Sequence, residues 1–168
     1  DELLKLLAQP NAVSCLRQLD DLDLLCRVFP ELAEARGVTQ PKEHYWDVFE
    51  HLIETVGQVD RVLERRPANE GFVSAMVPTF DRMTEHFDQE VGDGYSRAVL
   101  VKLAGLLHDV SKPATKTIEP TGRMRFFGHD TQGAEVCQEI LHRLRLSSRG
   151  VHLISTMVRH HLRPTQMS

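Results

Sequence analysis

A chain of 168 residues that is 41% hydrophobic, 26% charged and 6% aromatic can bury a sizeable core, which excludes a disordered tail. Its formal charge of −4 and pI near 6.1 exclude a protein that grips nucleic acid through net charge, so any RNA or nucleotide contact must rest on a local patch. No apolar run is long enough for a membrane span, no signal peptide is expected, and Cys15, Cys26 and Cys137 form no CxxC pair, so a cytoplasmic protein with reduced thiols is expected.

The chain starts with Asp1 inside a helical pattern and stops soon after Pro164, as a fragment of a longer polypeptide would. Residues 2–36 read as short helices. Leu3, Leu4, Leu6 and Leu7 form the first, Pro10 breaks it, and Asn11 is placed to cap a second with Val13, Leu16 and Leu19 on one face. A third ends at Phe29-Pro30, and residues 37–41 form a loop. The longest helical pattern runs from about Glu43 to Arg66, with Val48, Phe49, Leu52, Ile53, Val56, Val59 and Leu63 on its stripe. A second long helix is predicted over 72–91, through Phe72, Met76, Phe80, Met83 and Phe87, closed by Gly92-Asp93-Gly94. The segment Ser96 to His108 is apolar nearly all round and predicts a buried central helix. Glu119-Pro120-Thr121-Gly122 fits a type I turn between two short strands, 115–118 and 123–127. Helices resume over 131–145 and 150–162, with Asp130 as the expected N-cap of the first.

The chemistry concentrates where the central helix ends, at His108-Asp109. Burying this pair alone is costly, and a divalent metal would resolve the cost. Taken alone, the pair reads as well as a histidine capping a helix C-terminus beside a solvated aspartate. Other histidines favour the metal. His51 borders the stripe of its helix, with Asp47 one turn earlier as a partner for its ring, and His44 could line the same cleft. His129 follows the hairpin. Val151, Ile154, Met157 or Val158, and His161 share a face, so His161 points inward and His160 sits nearer the edge. Mixed His and carboxylate donors suit one or two ions of Mn, Fe, Co, Ni or Zn, which make a water nucleophilic near neutral pH. Lys112, Lys116, Arg123 and Arg125 form a basic stretch in an acidic chain. Lys112 is the expected phosphate binder, while Lys116 and Arg123 read equally as solvated charges. His86, His142 and His152 are expected in surface or structural roles.

Leu106-Leu107-His108-Asp109-Val110-Ser111-Lys112-Pro113, with Asp47-Val48-Phe49-Glu50-His51 upstream, resembles the HD superfamily of metal-dependent phosphohydrolases. Phe29-Pro30-Glu31-Leu32, Gly128-His129-Asp130 with Gly133-Ala134, and Val158 to Pro164 are similar to the HD region of bacterial tRNA nucleotidyltransferase and poly(A) polymerase family proteins. The resemblance implies an all-α HD-domain helical bundle with a small hairpin or loop insertion near 114–127. It implies a neck-like helical segment over 1–36 packed on an HD domain over 37–168. His51, His108 and Asp109 would be metal ligands, joined by His129 and His161 in a binuclear site. Asp109 and Lys112 would be catalytic, and Lys112, Lys116, Arg123 and Arg125 would bind substrate. The substrate would be a phosphomonoester or phosphodiester, such as a nucleotide or cyclic phosphate. The alternative is a non-catalytic RNA-binding or structural region of a tRNA nucleotidyltransferase-like protein; a domain that senses a nucleotide without turnover is a third reading. Two departures stand out: Ser111 replaces a usual Gly, and no convincing counterpart of the family's late aspartate follows His161. The Gly-Ser motif and paired aspartates of nucleotide addition are lacking, so this chain is not expected to extend RNA.

Overall fold

The computed structural model describes residues 2–41, 45–63 and 80–166. Four short helices come first: α1 (Glu2–Leu7), α2 (Ala12–Asp21), α3 (Leu25–Val28) and α4 (Pro30–Glu34). They are followed by α5 (Val48–Leu63) and α6 (Met83–Asp88), then strands β1 (Glu90–Gly92) and β2 (Tyr95–Ser96). The central helix α7 (Arg97–Leu107) leads through a turn to α8 (Lys112–Thr115), strands β3 (Lys116–Ile118) and β4 (Met124–Phe126), and helices α9 (His129–Arg143), α10 (Ser148–His160) and α11 (Arg163–Gln166). The described residues form an all-α bundle with two small antiparallel hairpins. Among the described residues, no helix is long and apolar enough to cross a membrane.

The near absence of a polar face on α7 has the expected result: it is buried, with α5 and α10 packed on it and α1 and α6 alongside. Leu100, Leu103, Leu106 and Leu107 share one hydrophobic cluster with Leu7, Leu16, Phe29 and Leu32 of the N-terminal helices. Polar ties reinforce this packing. Arg17 of α2 reaches Glu50 (2.8 Å) and Glu54 (2.7 Å) of α5, and Arg143 of α9 makes a two-pronged pair with Glu31 of α4 (2.8 and 2.9 Å). At Gly57 an added Cβ would lie 2.9 Å from Val13, so the missing side chain permits the close α2–α5 approach. Lys102, on the otherwise apolar α7, is buried. Its ammonium pairs with Asp60 of α5 and donates to the carbonyls of Leu7 (2.8 Å) and Gln9 (3.2 Å).

The hairpin over β3 and β4 forms as predicted, in the register Lys116↔Phe126 and Ile118↔Met124, and Gly122 N–H donates to Glu119 C=O at 2.8 Å across the turn. The expected helix over 72–91 is corrected. Residues 72–79, with Phe72 and Met76, lie outside the described residues, as does His44. Arg82 has φ 60°, so α6 starts afresh at Met83, and it stops at Asp88. Phe80 is exposed, and Met83 alone of the described stripe is buried. Gly92-Asp93-Gly94 does not close a helix but turns a hairpin between β1 and β2. Asp93 (φ 61°) and Gly94 (φ 75°) supply the paired positive φ of a type I′ turn. Two caps also differ. Asn11 makes no side-chain cap bond, and α9 begins at His129 behind Gly128, leaving Asp130 in the first turn.

Burial pushes the Cys137 thiol up to about 12, whereas Cys15 and Cys26 are half-buried. The thiolate is the reactive form. A disulfide-exchange reagent at pH 8 is therefore expected to modify Cys15 and Cys26 in the folded protein and to reach Cys137 only after denaturation. Equal reaction of all three in the native state would contradict the packing of α9.

Candidate metal centre

The site forms where α7 runs out. His108 keeps helical dihedrals, and then the chain tightens: Val110 N–H bonds to Leu107 C=O (3.2 Å) and Lys112 N–H to Asp109 C=O (3.0 Å). This turn lets the neighbouring side chains of His108 and Asp109 converge. Ser111, placed where a Gly was expected, has φ −92°, which any L-residue adopts, so the departure costs no backbone strain.

Asp109 is 2% exposed and is the hub. Its Oδ2 lies 3.2 Å from His51 Nε2, 3.0 Å from His108 Nε2 and 2.7 Å from Lys112 Nζ. Its Oδ1 lies 3.2 Å from His129 Nε2 and 3.5 Å from His161 Nε2. The Nε2 atoms pair off as well, His51 with His108 at 3.2 Å and His129 with His161 at 3.2 Å. Two three-residue donor sets result, His51/His108/Asp109 and Asp109/His129/His161, each able to hold a metal ion and sharing the one carboxylate. Two such sets form without a late aspartate.

The rings are aimed by the backbone. Nδ1 of His108 donates to Gly105 C=O (2.8 Å), Nδ1 of His129 to Phe126 C=O (2.6 Å) and Nδ1 of His161 to Val158 C=O (2.7 Å). In each case the acceptor lies three residues earlier. A carbonyl can only accept, so Nδ1 carries the proton and a neutral ring presents its Nε2 lone pair to the centre. His108 and His161 thus cap the C-termini of α7 and α10 with one nitrogen while offering the other. The capping and metal readings of His108 are compatible.

The consequence is a cluster of acceptors facing acceptors. Oδ1 of Asp109 is buried and has no hydrogen-bond partner among the described residues, although two ring nitrogens lie within 3.5 Å. Such an arrangement demands positive charge. Lys112 brings it to Oδ2. Without a metal the remainder must come from protons. Burial alone would raise the Asp109 carboxyl, but the His108, His129 and His161 rings hold it well below the usual carboxylate range. Burial lowers His161, yet Asp109 and the Val158 carbonyl raise it overall. The chemistry and convergence of these donors fit a divalent transition metal.

The other expected site residues divide. Lys112 is 6% exposed and also donates to Gln40 Oε1 (2.7 Å). Lys116 donates to Thr39 Oγ1 (2.8 Å), which fastens the hairpin to the 38–41 loop. Lys116 pairs with Phe126, so the two share a face of the hairpin, and Phe126 lies beside His129 and Lys112. Arg125 falls on the opposite face, bonded to Glu119 (3.1 Å) and near the Phe127 ring, and Arg123 is exposed beside the turn. The Asp47 carboxylate, expected to orient the His51 ring, accepts from the backbone amides of Gly37 (2.7 Å) and Glu50 (2.8 Å) and caps α5. His86, His142 and His152 are exposed, and His160 is half-buried at the rim. Reading the sequence missed Gln40; a lone loop glutamine carries no signal.

Comparison with known proteins adds context to this geometry. The HD domain family model matches residues 79–168, and one described as a probable RNA and SrmB-binding site of polymerase A matches residues 1–36. The chain is 36% identical over 163 residues to an A-adding tRNA nucleotidyltransferase of Deinococcus radiodurans, covering 96% of this chain and 30% of that protein. It is 29% identical to a CC-adding tRNA nucleotidyltransferase of Thermus thermophilus, with the same coverage of 96% and 30%. It is 27% identical to a bifunctional uridylyltransferase/uridylyl-removing enzyme of Mycobacterium tuberculosis, over 96% of this chain and 15% of the relative. The chain therefore spans less than a third of the length of these relatives.

Proposed function

The chain belongs to the HD domain family, and from that premise we propose that its cluster of histidines around Asp109 is the centre of a metal-dependent phosphohydrolase. The substrate class is a phosphomonoester or phosphodiester, as in a nucleotide, a cyclic phosphate or an RNA end. One observation carries this reading: the buried Asp109 carboxylate is ringed by four imidazole nitrogens, with Oδ1 lacking a hydrogen-bond partner among the described residues. His51, His108 and Asp109 would hold one ion, and Asp109, His129 and His161 a second. A bound divalent ion of this kind supplies Lewis acidity and lowers the pKa of water. The protein's own part is positional. Asp109 places the two donor sets side by side, and Lys112 presents an ammonium to the phosphoryl oxygens, where charge grows in the transition state. Lys116 is on hand for a more distant phosphate, and Arg123 and Arg125 would serve only a substrate long enough to reach the hairpin's rim. A cytoplasmic setting, with unpaired cysteines, is part of the reading. The name of the uridylyl-removing relative fits a phosphoester-breaking role.

A second reading is favoured by a different observation. The RNA-binding model over residues 1–36 and the two tRNA nucleotidyltransferase relatives suit a non-catalytic RNA-binding or structural role within a longer protein. Elemental analysis of protein purified without chelator separates the two. One or two equivalents of transition metal, lost in His108→Ala, with Mn- or Ni-stimulated cleavage of a simple phosphodiester, is the expected result. A metal-free, folded protein that still binds tRNA would establish the second reading in its place.

A further inference from the structure

Lys112 stands at the centre of the proposed phosphate site on a flexible stem, and something must aim it. A lysine ammonium carries three protons and accepts nothing. Asp109 Oδ2 takes one at 2.7 Å, and Gln40 Oε1 takes another at 2.7 Å. The Gln40 amide is itself oriented by its surroundings. Its Nε2 donates to Trp46 C=O (3.2 Å) and Asp47 C=O (3.5 Å). Two carbonyls on that side fix the nitrogen there and leave the oxygen facing Lys112. Asp47 in turn caps α5, the helix that carries His51.

We infer that Gln40 is the positioning residue of the phosphate-binding lysine, an inference that rests on the phosphohydrolase reading. The ammonium is already paired with Asp109 Oδ2, and a second carboxylate beside it would cancel the charge a phosphate needs. A neutral second acceptor holds the ammonium in place without cancelling it, so the third proton is directed to a phosphoryl oxygen. Lys116 repeats the pattern at the start of β3. It stands four residues after Lys112 and donates to Thr39, the neighbour of Gln40. The 38–41 loop thus receives both lysines through uncharged oxygens, as a wall meant to leave cationic charge available would.

The test compares the full chain with Gln40→Met, Lys112→Met and the double variant; methionine keeps the length of glutamine without its acceptor. Mn uptake is followed by electron paramagnetic resonance, inorganic phosphate affinity of the Mn-loaded protein by calorimetry, and kcat and KM on a phosphodiester by absorbance. Gln40→Met is expected to take up full Mn, to bind phosphate about tenfold more weakly, as loss of one charge-assisted hydrogen bond implies, and to add nothing to Lys112→Met in the double variant. Phosphate affinity within twofold of the parent, Gln40→Met and Lys112→Met effects that simply multiply, or lost Mn uptake in Gln40→Met would each overturn the role of Gln40 alone. A parent chain that takes up no Mn and binds no phosphate overturns the phosphohydrolase reading, and this inference with it.

Discussion

Asp109→Asn is expected to weaken metal uptake by well over a hundredfold and to abolish any phosphoester cleavage. Loss of groups that merely support a ligand already costs 10- to about 100-fold in affinity, and Asp109 contributes an oxygen to both donor sets. The amide has nearly the same shape and keeps an oxygen for Lys112, so the fold should survive. The helices α7, α9 and α10 meet around leucine, isoleucine and valine contacts that the substitution leaves in place. Equilibrium dialysis against Mn or Ni, paired with a thermal melt of metal-free protein, separates a lost ligand from a lost fold. Stoichiometric metal retained by a well-folded Asp109→Asn would show that the ion sits elsewhere. His51→Ala and His129→Ala extend the test, because each belongs to one donor set only. If both sets are used, each should lose one of two ions and keep the other.

Lys102→Met is expected to be the most damaging substitution away from the site. Lys102 is 6% exposed and its ammonium is enclosed by Asp60 and the carbonyls of Leu7 and Gln9. Removing one member of a buried pair costs about 3–5 kcal/mol, and here the substitution removes the ion pair together with two buried hydrogen bonds. In a chain of this size that lowers the melting temperature by on the order of 10 °C. The double variant Lys102→Met/Asp60→Leu should recover part of the loss, since a hydrophobic pair often replaces a buried ionic one at little cost. Recovery will be incomplete because two carbonyls at the end of α1 lose their donor. A melt within 1 °C of the parent would mean that the pair contributes nothing net.

The features that were legible in the sequence are those with a long period or a conspicuous residue type. The apolar face of α5, the all-round apolar α7 and the inward face of α10 follow from side-chain spacing, and they carry His51, His108 and His161 to the centre. His129 was legible as a histidine beside a turn, but its direction depends on the start of α9 behind Gly128, which a single residue's φ decides. The role of Lys102 is not legible in the sequence, for a physical reason. One cation amid eight apolar residues does not change the character of a helix, and its partners are far away in the chain: Leu7 and Gln9 at the end of α1, and Asp60 near the end of α5. Gln40 and Asp47 take their roles from loop geometry that periodicity does not encode. The Asp93-Gly94 pair suits the end of a helix, but it is also a strong hairpin signal. The helical pattern runs up to that pair, across residues that form β1.

The bonds from Nδ1 to backbone carbonyls have one more consequence. The His108 and His161 rings are already fastened to the ends of their own helices and the His129 ring to β4, so an ion held by the Nε2 atoms would not merely occupy a hole. It would staple together positions 51, 108, 129 and 161, closing long loops in a chain whose cysteines are all free. Such a staple differs from a disulfide in that it is lost on unfolding, so it would stabilise the fold by its binding free energy, which grows with the free metal concentration. Chelation would then act as a reversible cut, and each added equivalent of metal would tighten the bundle before any substrate arrives.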